Sequence, residues 1–256
     1  MVLSMERWIG KVAVVTGASK GIGAAISERL VEEGVHVVGL ARNRQPLDDL
    51  AKNLSTKKGR FYPLGADISK EQDILDAFVW IRDNLGPVHI LVNNAAVGGL
   101  TSVLDGNVED WLNTFKVNVI GLCTATRETV KNMNENNVDG HIININSMMG
   151  HFVLGFPGFE MYTASKHAVT ALGQAMRKEM GNSRRRIKFT SLSPGATDTD
   201  FIEPGTRQMI KMDSSVMLKA DDVADAAAYV LSTPPHVQGN RPSVTANELQ
   251  VPINKF

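Results

Sequence analysis

Short runs of apolar and β-branched residues alternate along the chain with longer stretches in which apolar positions recur every three or four residues. The short runs are "KVAVVTG" from Lys11, "VHVVGL" from Val35, "RFYPLGAD" from Arg60, "HILVNNA" from His89, "HIININS" from His141 and "IKFTSLSPG" from Ile187. Each is almost continuously hydrophobic and closes in small or polar residues, as a strand buried on both faces does. Between them the spacing predicts helices over Ile22 to Glu33, Pro46 to Leu54, Ser69 to Asn84, Val108 to Met133 and Tyr162 to Met180. Ser69, followed by Glu71 and Gln72, reads as the cap of its helix, and Gly86-Pro87 as its stop. "DDVADAAAYVLS" adds another helix, and "ELQV" near the end reads as a last strand.

This rhythm predicts an α/β chain: a doubly wound parallel sheet with right-handed crossovers and helices on both faces. No repeat, low-complexity tract or hydrophilic linker divides the 256 residues, so a single domain over 1–256 is expected. In such a sheet, ligands bind beyond the carboxyl ends of the strands. Those ends are "TGASKGIG", "ARN", "AD", "NNAA", "INS" and "SPG", all of them small, polar or glycine-rich.

Composition acts mainly by exclusion. Lys plus Arg and Asp plus Glu both number 27, so the formal net charge is zero and a general nucleic-acid footprint is not expected. The basic run Arg184-Arg185-Arg186 reads as a solvated turn. One cysteine, Cys123, excludes an internal disulfide framework and a cysteine-based zinc site, and no histidine pair has metal-ligand spacing. The first residues carry charge ahead of any long apolar run, no window is apolar enough to span a membrane, and "INKF" is no retention signal. A soluble, cytoplasmic protein without a metal is the expectation.

The glycine-rich segment directly follows the first strand and opens the first helix. Gly17, Gly21 and Gly23, around Ser19, Lys20 and Ile22, allow the chain to turn tightly and approach a pyrophosphate at a helix N-terminus. At the first β–α junction of a doubly wound sheet, this spacing points to a Rossmann-type dinucleotide site. NAD sites usually close the second strand with a carboxylate for the ribose hydroxyls. Here "VVGLARNR" has Ala41 at that place, then Arg42, with Lys20 expected nearby. Two cations suit a 2′-phosphate, favouring NADP(H); the plainer reading is a pair of exposed loop charges. Asp67 reads either as an acceptor for the adenine amino group, with Ile68 beside the ring, or as a helix cap. Asn94 and Ala95 sit where a backbone would pass beneath a ribose.

At the chemical end, Asn118 lies in an otherwise apolar helix, Ser147 closes the fifth strand, and Tyr162 and Lys166 stand four apart on one helical face. A phenol of ordinary pKa, about 10, is too weak an acid for efficient proton transfer near neutrality. A neighbouring ammonium, together with the positive nicotinamide of an oxidised cofactor, would favour the phenolate. Ser147 would hold a substrate oxygen. Asn118 reads either as an anchor for a water linking Lys166 to solvent or as a structural amide.

Taken in order, "TGASKGIG", "NNAA", Asn118, Ser147, "YTASK" and "PG" resemble the short-chain dehydrogenase/reductase family over Trp8 to Val251. Within it, "MERWIGKVAVVTGAS" and "DGHIININSMMGH" are similar to the NADP-dependent farnesol-dehydrogenase-like and dehydrogenase/reductase member 11-like branch. The resemblance implies an oxidoreductase with Tyr162 as acid–base, Lys166 tuning it and binding the nicotinamide ribose, Ser147 orienting substrate and Asn118 holding a relay water. It implies that Pro194, Gly195, Thr197 and Thr199 meet the nicotinamide carboxamide. Thr197 stands where the family more often has Val or Ile, and Ala96 where it has Gly. A homodimer or homotetramer is implied as well. The segment after "PG", a substrate lid over about 196–218, carries Phe201, Ile202, Met209, Ile210 and Met212, and "MMGHFVLGFPGFEM" adds more Met and Phe. Together they favour a hydrophobic alcohol or ketone, such as a terpenoid or steroid, over a sugar. The alternative is a sensor that binds NADP(H) without turnover.

Overall fold

A computed structural model describes residues 3–98, 102–180, 186–201, 215, 217–237 and 243–244. The strands are β1 (Val12–Thr16), β2 (His36–Ala41), β3 (Arg60–Gly65), β4 (Val88–Asn93), β5 (Gly140–Ile145), β6 (Ile187–Pro194) and β7 (Ser243–Val244). They form a seven-stranded sheet in the order β3-β2-β1-β4-β5-β6-β7. All pairings are parallel, from Val12↔His36 at one side to Pro194↔Val244 at the other. The chain winds outward from β1 to β3, then restarts beside β1 with β4. The crevice between β1 and β4 is therefore where strand order reverses and a ligand can enter.

The helices are α1 (Gly21–Glu32), α2 (Gln45–Asn53), α3 (Glu71–Asn84), α4 (Val108–Phe115), α5 (Leu122–Glu135), α6 (Glu160–Met180) and α7 (Ala220–Ser232). Alternation along the strands divides the core. Ala13, Val15, Ile90 and Val92 face α1, α2 and α7, whereas Val12, Val14, Val88 and Leu91 face α3, α5 and α6. Both faces are covered, which is why the strand sequences are apolar throughout rather than alternating.

Two expectations need correction. Ser69 does not cap α3: the N-cap is Lys70, and Ser69 turns back to donate its hydroxyl to Asp67 at 2.7 Å. The long helix predicted from Val108 is not uniform, because Lys116–Gly121 forms a π-helical turn between α4 and α5. The seventh strand is Ser243–Val244; "ELQV" lies outside the described residues, as do Arg184, Arg185, Ile202, Met209, Ile210 and Met212.

Candidate active site

The strand ends converge as the sequence suggests, and side-chain amides and hydroxyls lock them together. Thr16, the last residue of β1, accepts at Oγ1 from the backbone N–H of Asn94 and of Ala95, both at 3.0 Å. Asn94 returns the contact, its Nδ2 donating to Thr16 O at 2.9 Å and Gly17 O at 3.1 Å. The glycine loop is thus fixed to the end of β4. Gly17 has φ +67°, and a Cβ there would sit 2.8 Å from Ala95 Cα. A Cβ on Gly23 would sit 2.3 Å from Gly17 O. Only glycine permits this closeness.

The first turn of α1 holds no acidic residue, and its N-cap, Lys20, makes no side-chain capping bond. Its free N–H groups and positive dipole end suit a pyrophosphate, so the residues present fit a dinucleotide. Ser19 and Ile22 are half-buried at this turn. Thr199 reaches it from the far side: a Cβ on Gly21 would lie 3.2 Å from Thr199 Cγ2. Arg42 is exposed at the end of β2. It lies close enough to Asp67 to act on its charge. Burial pushes Asp67 up, but the Ser69 hydroxyl and N–H, with Arg42 and Lys70, hold it below the usual carboxylate range. Asp67 does not cap α3, whose N-cap is Lys70; its carboxylate accepts from Ser69 N–H and hydroxyl instead, and it is ionised where an adenine amino group would meet it. Lys20, expected beside Arg42, stands 3.5 Å from Asp200, both exposed. Ile68 is buried, and its carbonyl packs against Gly121 of the π-helical turn.

Asn118 explains that turn. Its Oδ1 accepts from Val97 N at 2.8 Å, while its Nδ2 donates to Val97 O at 2.9 Å and to Ser165 Oγ at 3.0 Å. Ser165 in turn donates to Tyr162 O at 2.7 Å. The side-chain amide is therefore structural, tying β4's extension to the tyrosine helix. Sequence reading missed Thr16 and Ser165, although each sits inside a motif already singled out: Thr16 heads "TGASKGIG" and Ser165 lies one turn beyond Tyr162.

Tyr162 is 8% exposed and Lys166 3%. Burial pushes the phenol up to about 12, partly offset by its hydrogen bond with the Ser147 side chain. Burial lowers Lys166 to about 8. Lys166 Nζ donates to Ile145 O at 2.9 Å and lies 5.6 Å from the Tyr162 ring centre. The two groups are neighbours, yet without a further positive charge the phenol holds its proton. Ser147 also accepts from Met149 N at 3.1 Å, which fixes its rotamer. Pro194 ends β6, followed by Gly195, and Thr197 donates to Gly195 O at 3.1 Å. A bridge from Thr197 to Leu218 holds the chain beyond.

Around the phenol, Met149, Phe159 and Tyr162 form an apolar cluster with Met148, Leu154, Phe156 and Phe201 packed against it. Phe159 meets Tyr162 edge-on at 6.1 Å, and Phe201 lies 5.3 Å from it on another side.

A sequence model described as short chain dehydrogenase matches residues 11–209. The chain belongs to the short-chain dehydrogenase family. It is an oxidoreductase fold whose members act as dehydrogenases with a nicotinamide cofactor. The chain is 43% identical to the farnesol dehydrogenase of Aedes aegypti, over 91% of this chain and 95% of that protein. It is 42% identical to human dehydrogenase/reductase SDR family member 11, over 91% and 93%. Both place it in the farnesol-dehydrogenase-like and member 11-like branch. Among solved structures, a short chain dehydrogenase from Burkholderia cenocepacia in complex with NADP superposes with a TM-score of 0.83, at 28% identity, over 93% of this chain and 98% of that one. Among the described residues, no helix is long and apolar enough to cross a membrane, and no cluster of metal-ligating side chains occurs.

Proposed function

We propose that the protein transfers a hydride between NADP(H) and a hydrophobic alcohol/carbonyl pair, with Tyr162 as the proton donor and acceptor. The carrying observation is the placement of a buried phenol, hydrogen-bonded to Ser147 and backed by Lys166, against a wall of Met and Phe. When bound, the cofactor supplies or accepts the hydride. Ser147 donates to the substrate oxygen and orients it, and Tyr162 gives that oxygen a proton in reduction or takes one in oxidation. Lys166, buried and cationic below about pH 8, favours the phenolate and holds the nicotinamide ribose. The glycine loop and the open first turn of α1 hold the pyrophosphate, and the backbone at Asn94 and Ala95 passes beneath a ribose.

The preference for NADP(H) rests on Arg42, and on Ala41 where a carboxylate would reject a 2′-phosphate. The apolar preference draws support from the aromatic cluster and from Phe152 and Val153, which are 62% and 80% exposed beside it. The dehydrogenases of the branch offer farnesol as the first compound to try. The test follows nicotinamide absorbance with NADPH and NADH, and with their oxidised forms, against terpenoid alcohols, steroids and small ketones. Wild type and Tyr162→Phe run side by side. Turnover with the NADP couple, lost in the variant, supports the reading. Tight NADPH binding with no turnover on any compound supports the sensor instead.

We further expect a homodimer or homotetramer pairing through the α4–α5 and α6 helices. Val108, Leu112 and Ile120 stand exposed on the first of these surfaces.

A further inference from the structure

The amino ends of the strands border a second, partly open concavity, on the edge of the sheet opposite to Gly17, Asn94, Ser147 and Pro194. Its volume is about 560 Å³, and its wall includes Arg7, Lys11, His89, Asp139, Arg186 and Lys188. Lys11 precedes β1, His89 is the second residue of β4, and Arg186 and Lys188 flank the start of β6. At about 3.3 Å of rise per residue, it lies roughly 20 Å from the dinucleotide crevice.

Arg7, Lys11, Arg186 and Lys188 thus face a single carboxylate, and Asp139 is already engaged by Arg186 at 3.3 Å. Among the described residues, no ion pair joins Arg7, Lys11 or Lys188 to an acid. Lys188 is only 7% exposed, donating to Thr233 Oγ1 at 2.9 Å and to Pro234 O at 3.4 Å. Arg7 donates to Leu231 O at 2.6 Å, and its guanidinium lies 4.6 Å from the centre of the Trp8 ring. These bonds cap the carboxyl end of α7 and account for Arg7 and Lys188 singly. They do not account for gathering the cations around one cavity, where each repels the next. Burial and then Arg7 push Lys188 down to about 8, and burial and then Lys11 lower His89.

We propose that this cavity binds a compact multivalent anion, a phosphate ester of sugar size, at a site separate from the dinucleotide crevice. An anion there replaces cation–cation repulsion with charge-assisted hydrogen bonds, two of the cations, Arg7 and Lys188, being already held in place. The volume is that of a small-molecule site, ample for a phosphorylated sugar.

The test is isothermal titration of the protein with glucose 6-phosphate and with fructose 1,6-bisphosphate, and with neutral glucose for comparison. Lys11 is exposed and outside the sheet, so Lys11→Gln leaves the fold standing. The expected result is binding of both anions but not glucose, weakened about tenfold by Lys11→Gln, restored by Lys11→Arg and unchanged by Arg42→Ala. Equal isotherms in wild type and Lys11→Gln would overturn the proposal. So would loss of binding in Arg42→Ala, which places the anion at the dinucleotide crevice, or the absence of heat with either anion.

Discussion

The side-chain amide of Asn118 pairs with both backbone groups of Val97, taking a hydrogen bond from its N–H at 2.8 Å and giving one to its carbonyl at 2.9 Å. This pairing holds the extended segment after β4 alongside the π-helical turn. Replacing Asn118 with Ala leaves those groups without their partner and removes the donor to Ser165 Oγ. Stability should fall by about 2 to 4 kcal/mol in urea unfolding. Activity per folded molecule should fall as well, because Ser165 connects the same amide to Tyr162.

In the protein without cofactor, Tyr162 should titrate far above neutrality. Ultraviolet difference absorbance should place its phenolate transition near 12. Positive charge stabilises the phenolate, so adding the oxidised cofactor should move that transition downward, and Lys166→Met should reduce the movement. A phenol that titrates near neutrality without cofactor contradicts this account.

The glycine loop tolerates little. With Gly23→Ala, the new methyl meets Gly17 O and Asn94 Nδ2, at 2.3 and 2.4 Å if nothing moves. The loop must shift, at a cost of about 1 to 3 kcal/mol. Cofactor affinity should fall by at least tenfold in fluorescence titration, for NADPH and NADH alike.

Arg42→Ala should separate the two cofactors. Removing a charge-assisted contact to a 2′-phosphate costs about 1.5 to 3 kcal/mol, or roughly ten- to a hundredfold in NADPH affinity. NADH affinity should stay within about twofold. Equal losses for both would assign Arg42 to the pyrophosphate or to the fold.

His141 sets an acid limit. Fully buried and bonded through Nε2 to Thr190 Oγ1 at 2.8 Å, it is pushed down to about 3, by burial first and then by Lys188 and Arg7. Between the ordinary value near 6.5 and about 3, the unfolded chain binds a proton that the folded chain refuses. Stability therefore falls as pH drops through that window, by on the order of a few kcal/mol. His141→Gln should flatten that part of the stability–pH curve, measured by thermal unfolding.

The sequence made the fold legible because its strands are buried on both faces: "VAVVT" and "HILVN" have no polar face to disguise them. It made the site legible because Gly17 and Ser147 follow strand ends, while Tyr162 and Lys166 stand one turn apart on the same helix. What it concealed was mostly side-chain bonding between segments distant in sequence. Thr16 and Asn94 are 78 residues apart, so nothing local tells that one clamps the other. Nor does spacing reveal that Ser69 turns to Asp67 instead of capping α3, or that Lys20 stands near Asp200. A π-helical turn has the same apolar period as the helix around it over so short a span, and Asn118 was its sole trace.

Phe201 lies against Tyr162 with ring centres 5.3 Å apart, and a methyl on Gly98 would clash with the Phe201 ring at 2.7 Å and crowd Tyr162 at 3.2 Å. That side of the phenol is therefore already furnished with an aromatic partner, an arrangement worth about 0.5 to 1.5 kcal/mol. A ligand arriving along it makes an exchange, giving up one stacking contact to form another. Its measured affinity is a difference between two greasy embraces. Flat, ring-bearing compounds recover what they displace, while slender chains start at a disadvantage of about 1 kcal/mol unless Phe201 folds over them and restores the contact.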